Sequence, residues 1–356
     1  QSTGSGDRSF DYVRLGFDVF LTIFIVIIWS FYDNKRATYN RLFYWFKVFL
    51  RIVLFLTMLL YGFGKIFKGQ FADPSLELLV QTVGEMSPMG LAWTFMAHSF
   101  AYNIFVGFAE VLGGVLVIFK RTKTLGSMVI IGVMTNVTMM NFTYDIPVKL
   151  LSIHLVLMAS VLLISDRKRL LNVFFKNKIA APVHYDVPFK NTTLKKVISI
   201  IKISVVFLIT GIIIIQCFIQ FDITKQLKST SELYGIWETQ LFIKNKDTLP
   251  PLITDAYRWR YLIIDQKKKA IVKKMDDSMD RYQFEINQEQ KEVIFQRAED
   301  SLPQRFLYTL VNSEDLQLHG ILDGDSLYIK FKRKPVSDFR LINRKFHWVN
   351  ESTYKY

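Results

Sequence analysis

Residues 201–221 read IKISVVFLITGIIIIQCFIQF, and nothing charged stands between Ile203 and Asp222. A helix needs about 20 mostly apolar residues to cross the roughly 30 Å hydrocarbon layer of a bilayer, and this stretch has that length. Working outward from it, comparable runs at 15–31, 48–63, 92–119, 125–142 and 148–164 predict five further helices. Lys47 and Arg51 punctuate the start of the 48–63 run, which a membrane tolerates when long side chains reach the headgroups. Beyond Asp222 no such run recurs. The chain therefore reads as an integral membrane protein carrying a water-soluble tail.

At 356 residues and 51% hydrophobic, with a mean hydropathy of +0.22, the composition sits between membrane and soluble averages, as a union of both predicts. The formal charge of +14 would point to nucleic acid in a soluble chain. Here the basic residues gather beside apolar spans, where anionic lipid and the positive-inside bias account for them, so no nucleic-acid partner is expected. The single cysteine, Cys217, excludes intrachain disulfides, CxxC redox chemistry and Cys-rich metal sites.

Lysine and arginine collect in alternate loops. Lys35, Arg36 and Arg41 follow the first run, and Lys120, Arg121 and Lys123 follow the third. Arg167, Lys168, Arg169, Lys176, Lys178, Lys195 and Lys196 lie between the fifth and sixth. The loop at 72–89 carries Asp73, Glu77 and Glu85 instead. With the basic loops in the cytoplasm, the chain is expected to start outside, cross the bacterial inner membrane six times and leave its tail in the periplasm. An outside start without a signal peptide or an initial methionine implies an upstream helix or a cleaved leader before Gln1.

Several membrane residues carry chemical potential. Glu110 is an acid in mid-helix, expensive unless it faces a partner or water. Asn103, Gly107, Glu110 and Gly114, spaced by four, three and four, share one face of the third helix. That face reads either as a small-residue packing seam in which Glu110 bonds to a neighbour, or as a proton relay or polar handle for a quinone or lipid headgroup. His98 and His154 each fall six residues inside a run, about 9 Å deep at 1.5 Å per residue, and Asn136 joins them there. Bis-histidine haem ligation would need both rings on facing stripes, and His98 lies off the Asn103–Glu110 stripe. No metal-ligand spacing is present.

In the loop at 72–89, residues 76–83 read as a surface helix, and Pro88 and Gly90 turn the chain into the third helix. In the turn Tyr144-Asp145-Ile146-Pro147-Val148-Lys149, Pro147 suits a helix start and Asp145 can pair with Lys149 across one turn.

The motifs Tyr61-Gly62-Phe63-Gly64-Lys65 with Gln70-Phe71, Ser87-Pro88-Met89-Gly90, Glu110-Val111-Leu112-Gly113-Gly114 with Lys120-Arg121-Thr122, Asn136-Val137, and the 144–149 turn together resemble the DoxX-like membrane proteins over roughly 41–178. The resemblance is strongest to a longer version, of Bacteroidota-type bacteria, with extra helices and a soluble tail. It implies a four-helix membrane bundle at 41–178, preceded by a periplasmic segment and first transmembrane helix at 1–40. A cytoplasmic loop and last helix at 179–222 then lead to a periplasmic domain at 223–356. Some relatives are subunits of thiosulfate:quinone oxidoreductase or sit beside other redox enzymes, and distant ones handle cargo or lipid. The fold transfers further than the activity.

After Asp222 the pattern shifts to period-two alternation, as in 258–264, 281–286 and 326–331, with turn residues between, predicting about eight antiparallel strands in a small barrel. Gly235-Ile236-Trp237 looks like the G-x-W at the base of lipocalin-like or calycin-like barrels, where an arginine from the final strand covers the tryptophan; Arg340 or Arg344 is expected there. The barrel is either filled by its own side chains or a cup for an apolar ligand. Pro250 to Trp259 reads as a lid or docking edge, and His347-Trp348 as a cap on the barrel.

The expected function is an accessory or non-catalytic inner-membrane subunit. Asn103, Glu110, Asn136, His98 and His154 line a polar pocket, Lys65, Tyr144, Asp145 and Lys149 guard its outer mouth, and Gly235, Trp237, Arg340 and Arg344 form the barrel base. No cofactor is evident beyond a quinone or lipid, and the expected partners are membrane lipids and other membrane or periplasmic subunits of a redox or envelope complex. The rival is an anchor or assembly factor without chemistry, and lipid handling comes third.

Overall fold

A computed structural model describes residues 6–179, 192–228, 232–297, 302–344 and 346–352. The expected cytoplasmic loop beyond 179 lies largely outside them. The chain divides into two compact units, Gln1–Ala72 with Ser87–Gln220, and Asp73–Met86 with Phe221–Tyr356.

The first unit is helical. Its elements are α1 (Ser9–Tyr32), α2 (Asn40–Ile66), α4 (Pro88–His98), α5 (Phe100–Ile118), α6 (Lys123–Thr143), α7 (Lys149–Ile164), the short α8 (Arg167–Leu170) running into a π turn, and most of α9 (Thr192–Lys228); α3 (Leu76–Val80) belongs to the second unit. Among the described residues α1, α2, α5, α6 and α9 are each long and apolar enough to cross a membrane, and α7 with the segment after it, bent by 71°, makes a sixth span if the bent pair counts as one. The expected third helix is broken. Ser99 adopts an extended conformation and its hydroxyl accepts from the Tyr102 N–H, so a serine that looks neutral inside an apolar run acts as an N-cap and starts α5 afresh.

The bundle core is made by α2, α5, α6 and α7, where Leu54, Met58, Val117, Ala159 and Leu162 are fully buried. Glycine sets the spacing of α2 and α5. A Cβ added at Gly107 would stand 2.5 Å from the Gly62 carbonyl oxygen, and one at Gly62 would stand 2.7 Å from that of Gly107. Dispersion gained from such close backbone approach substitutes for the hydrophobic drive that lipid does not supply between helices. By contrast α1 buries no residue against the rest of the chain. Its Trp29 indole N–H donates to the Tyr39 hydroxyl at the start of α2, and just before α1 the Asp7 carboxylate accepts from the Lys149 and Leu150 N–H groups (2.9 Å for Leu150) and so caps α7 from far away in sequence.

The second unit is an antiparallel barrel. β1 (Gly235–Lys244) turns back through the two-residue β2 (Asp247–Thr248), and then β3 (Trp259–Gln266), β4 (Lys269–Lys274), β5 (Met279–Asn287), β6 (Glu292–Gln296), β7 (Gln304–Leu310), β8 (Asp315–Leu322) and β9 (Asp325–Lys334) follow as a meander. Pairing of β9 with β1, including Trp237 opposite Arg333, closes eight strands into a ring and leaves no long exposed edge. Inward residues alternate as the sequence predicts, and they fill the interior. Trp237, Phe242, Trp259, Phe284, Phe295, Phe306 and Phe331 are all buried, with Trp259 against Phe242, Phe295, Phe306 and Phe331. Each such side chain contributes about 1.5–3 kcal/mol by leaving water.

The α3 helix lies in this unit. Leu76 packs with Ile236, Tyr261, Ile263 and Ile271 on the outside of the barrel, the Lys273 ammonium donates to the Val80 carbonyl at 2.7 Å, and Arg281 pairs with Glu77. A last short helix, α10 (Arg340–Asn343), follows β9. Trp348 is 88% exposed, so the expected cap of the barrel by His347-Trp348 does not form. The loop before Trp259 is ordered by the Asp255 carboxylate, which accepts from the Tyr257 and Arg258 N–H groups.

Candidate functional site

The predicted stripe on α5 is present: Asn103, Gly107, Glu110 and Gly114 are all buried on one face, turned toward α2. Lys65, one residue before the end of α2, meets it there. Its ammonium lies 2.9 Å from Glu110 Oε2, with the side chains 6% and 1% exposed. The same ammonium stands 5.6 Å from the Tyr61 ring centre and 5.9 Å from that of Phe71, so the cation is held between a carboxylate and two aromatic rings. Lys65 is thus part of the polar interior rather than a guard at its mouth.

This pair forms one wall of a cavity of about 80 Å³. Tyr61 and Lys65 of α2 contribute, with Gln70 and Phe71 just beyond it. Ala92, Trp93 and Met96 come from α4, Tyr102 and Glu110 from α5, Asn136 and Asn141 from α6, and Ser152 from α7. The space is several times the roughly 10–15 Å³ needed to admit one water. The lining is mostly apolar, with polar groups at a few points, the pattern of a small-molecule site.

Some polar atoms at the site are left over. Asn103, predicted to line the pocket, lies on the α5 stripe but not in the cavity lining; it is fully buried and neither its Nδ2 nor its Oδ1 has a hydrogen-bond partner among the described residues, and on the cavity wall Gln70 Oε1 is in the same state. A buried amide without partners costs free energy, more so where no water is near. Asn141 is better satisfied, donating to Ser152 Oγ at 3.1 Å and to the Val148 carbonyl at 3.3 Å.

The remaining predicted residues divide. Asn136 lines the cavity. His98 ends α4 and is exposed, off the α5 stripe as its spacing predicts, and it does not line the cavity. His154 contacts the Leu150 carbonyl through Nδ1 at 2.6 Å and also stands outside the lining. Tyr144 is exposed, and Asp145 pairs with Lys149 at 2.7 Å in the α6–α7 turn, whose Ile146 and Val148 do line the cavity. The hydrogen bond from Lys149 holds the Asp145 carboxyl below its usual range. Tyr61 and Gln70, quoted from sequence in the motif around Lys65, line the cavity, whereas Tyr102, Asn141 and Ser152 were not singled out from sequence.

At the barrel base, Gly235 holds φ +146° and the Trp237 indole N–H donates to the Leu233 carbonyl at 2.9 Å. The cation over Trp237 is Arg333, its guanidinium carbon 4.6 Å from the ring centre. It does come from the final strand, but neither Arg340, in α10, nor Arg344, just after it, takes this place. Of the two readings of the barrel, the filled one holds, its interior being packed with its own side chains.

Stacked helices with a buried ion pair at a small cavity, followed by a closed barrel, define a multi-pass membrane protein with an appended β domain. The DoxX family profile matches residues 46–143, spanning α2 to the end of α6. The "Uncharacterized protein YwoB" of Bacillus subtilis (strain 168) is 32% identical over 129 residues, which are 36% of this chain and 82% of that protein. The chain belongs to the DoxX family. No solved structure matches it.

Proposed function

We propose that the bundle cavity binds the polar head of a quinone or lipid in the bacterial inner membrane, and that the barrel, in the periplasm, docks a protein partner in a redox or envelope complex. The observation that carries this reading is the buried Lys65–Glu110 pair on the cavity wall. A structural ion pair needs no cavity beside it, and charges in the membrane interior are costly enough that they mark binding or transport sites by default. Lys65 can donate to a carbonyl or phosphate oxygen and Glu110 can accept from a hydroxyl, so the pair offers both polarities. The volume suits a ring or headgroup only, and the apolar tail stays in the surrounding lipid.

The filled barrel supports docking over carriage of ligand. Sidedness is supported by α3, which precedes α4 yet packs on the barrel: four spans separate the two segments, so both fall on one side, away from the basic loops.

The test is extraction of small molecules from the purified protein, followed by mass spectrometry. A quinone or lipid head near one per chain, lost in Glu110→Gln and in Lys65→Met, supports the reading. A cavity that extracts empty, in a protein that copurifies with an envelope partner, replaces it with the anchor or assembly factor.

A further inference from the structure

Several charged side chains of the spans are held by other parts of the helical unit. Glu110 of α5 bonds Lys65 of α2 at 2.9 Å, Lys123 of α6 bonds Asp166, just past α7, at 3.3 Å, and Lys202 of α9 donates to the Ile118 carbonyl of α5 at 2.5 Å. In α1 the arrangement differs. Arg14 and Asp18 pair only along their own helix, at 4.0 Å, with side chains 70% and 59% exposed, and no other side-chain hydrogen bond or ion pair reaches either among the described residues. Thr22 and Ser30 turn their hydroxyls back onto the Asp18 and Val26 carbonyls of α1 at 2.6 and 2.7 Å, so their polarity is met within the helix. That of the charged pair is not.

Length places this pair in the hydrocarbon. From residue 19 to the end of α1 at Tyr32 the chain carries no charge, and at 1.5 Å per residue this stretch is about 21 Å long. The hydrocarbon core is roughly 30 Å thick and Asp33 closes the far end, so the span takes in Asp18 as well. A carboxylate at that depth is costly against lipid and is met, as a rule, on a face turned to another protein helix. Yet α1 buries no residue against its own chain.

The seam running through the pair fits one kind of neighbour. Arg14, Asp18, Leu21, Ile25 and Ile28, spaced by four, three, four and three, form a heptad stripe, and all five are exposed. A stripe of this period packs against a second helix with knobs in holes, and polar residues within it fix the register. Copies of one chain insert the same way, so two α1 helices related by a two-fold axis along the membrane normal run parallel, with equal residues at equal depth. Arg14 of each copy then stands about 6 Å along the axis from Asp18 of the other, within reach of an arginine side chain. One helix carries both signs, so a copy answers each charge with its opposite. An unrelated helix would need its own acid and base at that depth.

We propose that α1 is an interface between two copies of this chain, the helices pairing in parallel through the stripe from Arg14 to Ile28, with Arg14 of each copy bonded to Asp18 of the other.

Disulfide cross-linking of the full chain in the membrane, with Cys217→Ser removing the single native thiol, tests this. Ile25→Cys should give a product at the mass of two copies, and Ile27→Cys, on the opposite side of α1, should not. Asp18→Asn, which brings no new charge into the span, should lower the yield from Ile25→Cys on the order of tenfold. The exchange Arg14→Asp/Asp18→Arg should keep that yield, because two such copies remain complementary. Asp18→Asn decides the matter where the exchanged chain inserts poorly. No product at the mass of two copies, equal yields from Ile25→Cys and Ile27→Cys, or an unchanged yield in Asp18→Asn overturns the proposal.

Discussion

Lys65 Nζ and Glu110 Oε2 lie 2.9 Å apart between two helices that are themselves in backbone contact at Gly62 and Gly107. The ion pair and the glycine seam occupy neighbouring turns of α2 and α5, so the two readings of Glu110, packing partner and polar handle, describe one arrangement. Close approach brings the lysine within reach of the acid, and the pair then stands at the edge of the cavity rather than against lipid.

Removing one member of the pair should cost far more than removing both. Glu110→Ala or Lys65→Ala strands a buried charge and is expected to cost about 3–5 kcal/mol, whereas Lys65→Met with Glu110→Leu should be near neutral or stabilising. Unfolding of the four proteins in detergent gives the coupling directly. If the double variant is as unstable as the sum of the singles, the pair is not the unit described here. The double variant should still lose the extractable ligand, which separates stability from binding.

The glycine seam makes a sharper steric prediction. Alanine at Gly62 or Gly107 meets a backbone carbonyl that no rotamer change can move, so either substitution should force α2 and α5 apart at a cost of about 1–3 kcal/mol. Gly132, on α6, has nothing within 4 Å of an added Cβ. Gly132→Ala should therefore be neutral or gain up to about 1 kcal/mol from helix propensity. Detergent unfolding midpoints for the three variants provide the comparison.

What the sequence showed, and what it hid, follows from the range of each interaction. Hydropathy and alternation are local, so the spans and strands such as β5 were legible from neighbours alone. The stripe from Asn103 to Gly114 was legible too, because helical period places its members without any tertiary information. The Lys65–Glu110 pair joins residues 45 positions apart on two helices, and only packing sets their register. Arg333 was missed for the same reason. Its place opposite Trp237 depends on barrel closure between β1 and β9, while Arg340 and Arg344 merely looked near the end of the last strand. The break at Ser99 was hidden because one hydroxyl changes neither the apolarity nor the length of the run it interrupts.

Asp7 is expected to matter more than its position near the start suggests. Its carboxylate accepts from two of the first N–H groups of α7, which otherwise have no partner within the helix. Asp7→Ala should cost about 1 kcal/mol and release the first turn of α7. Hydrogen exchange should then show faster labelling at 149–152 with the rest of α7 unchanged. Uniform loosening of the bundle would instead mean that Asp7 holds a tertiary contact and not a cap.

The barrel should lose stability at alkaline pH through Tyr308. This side chain is 2% exposed and its hydroxyl donates to Glu232; burial, and then that bond, push its pKa from 10.0 up to about 12. The neutral phenol is therefore favoured in the folded state. Below pH 10 both states are protonated and the contribution is fully present. Between pH 10 and about 12 the unfolded chain gives up its proton while the folded barrel does not, so stability falls, and it is gone once the pH passes the folded value. Tyr257 and Tyr282 are also raised, so the useful quantity is a difference. Subtracting the unfolding curve of Tyr308→Phe from that of the parent should leave a drop confined to this window, while Glu232→Gln should move its upper edge downward. A difference that is flat across the window would mean the hydroxyl titrates as it does in water.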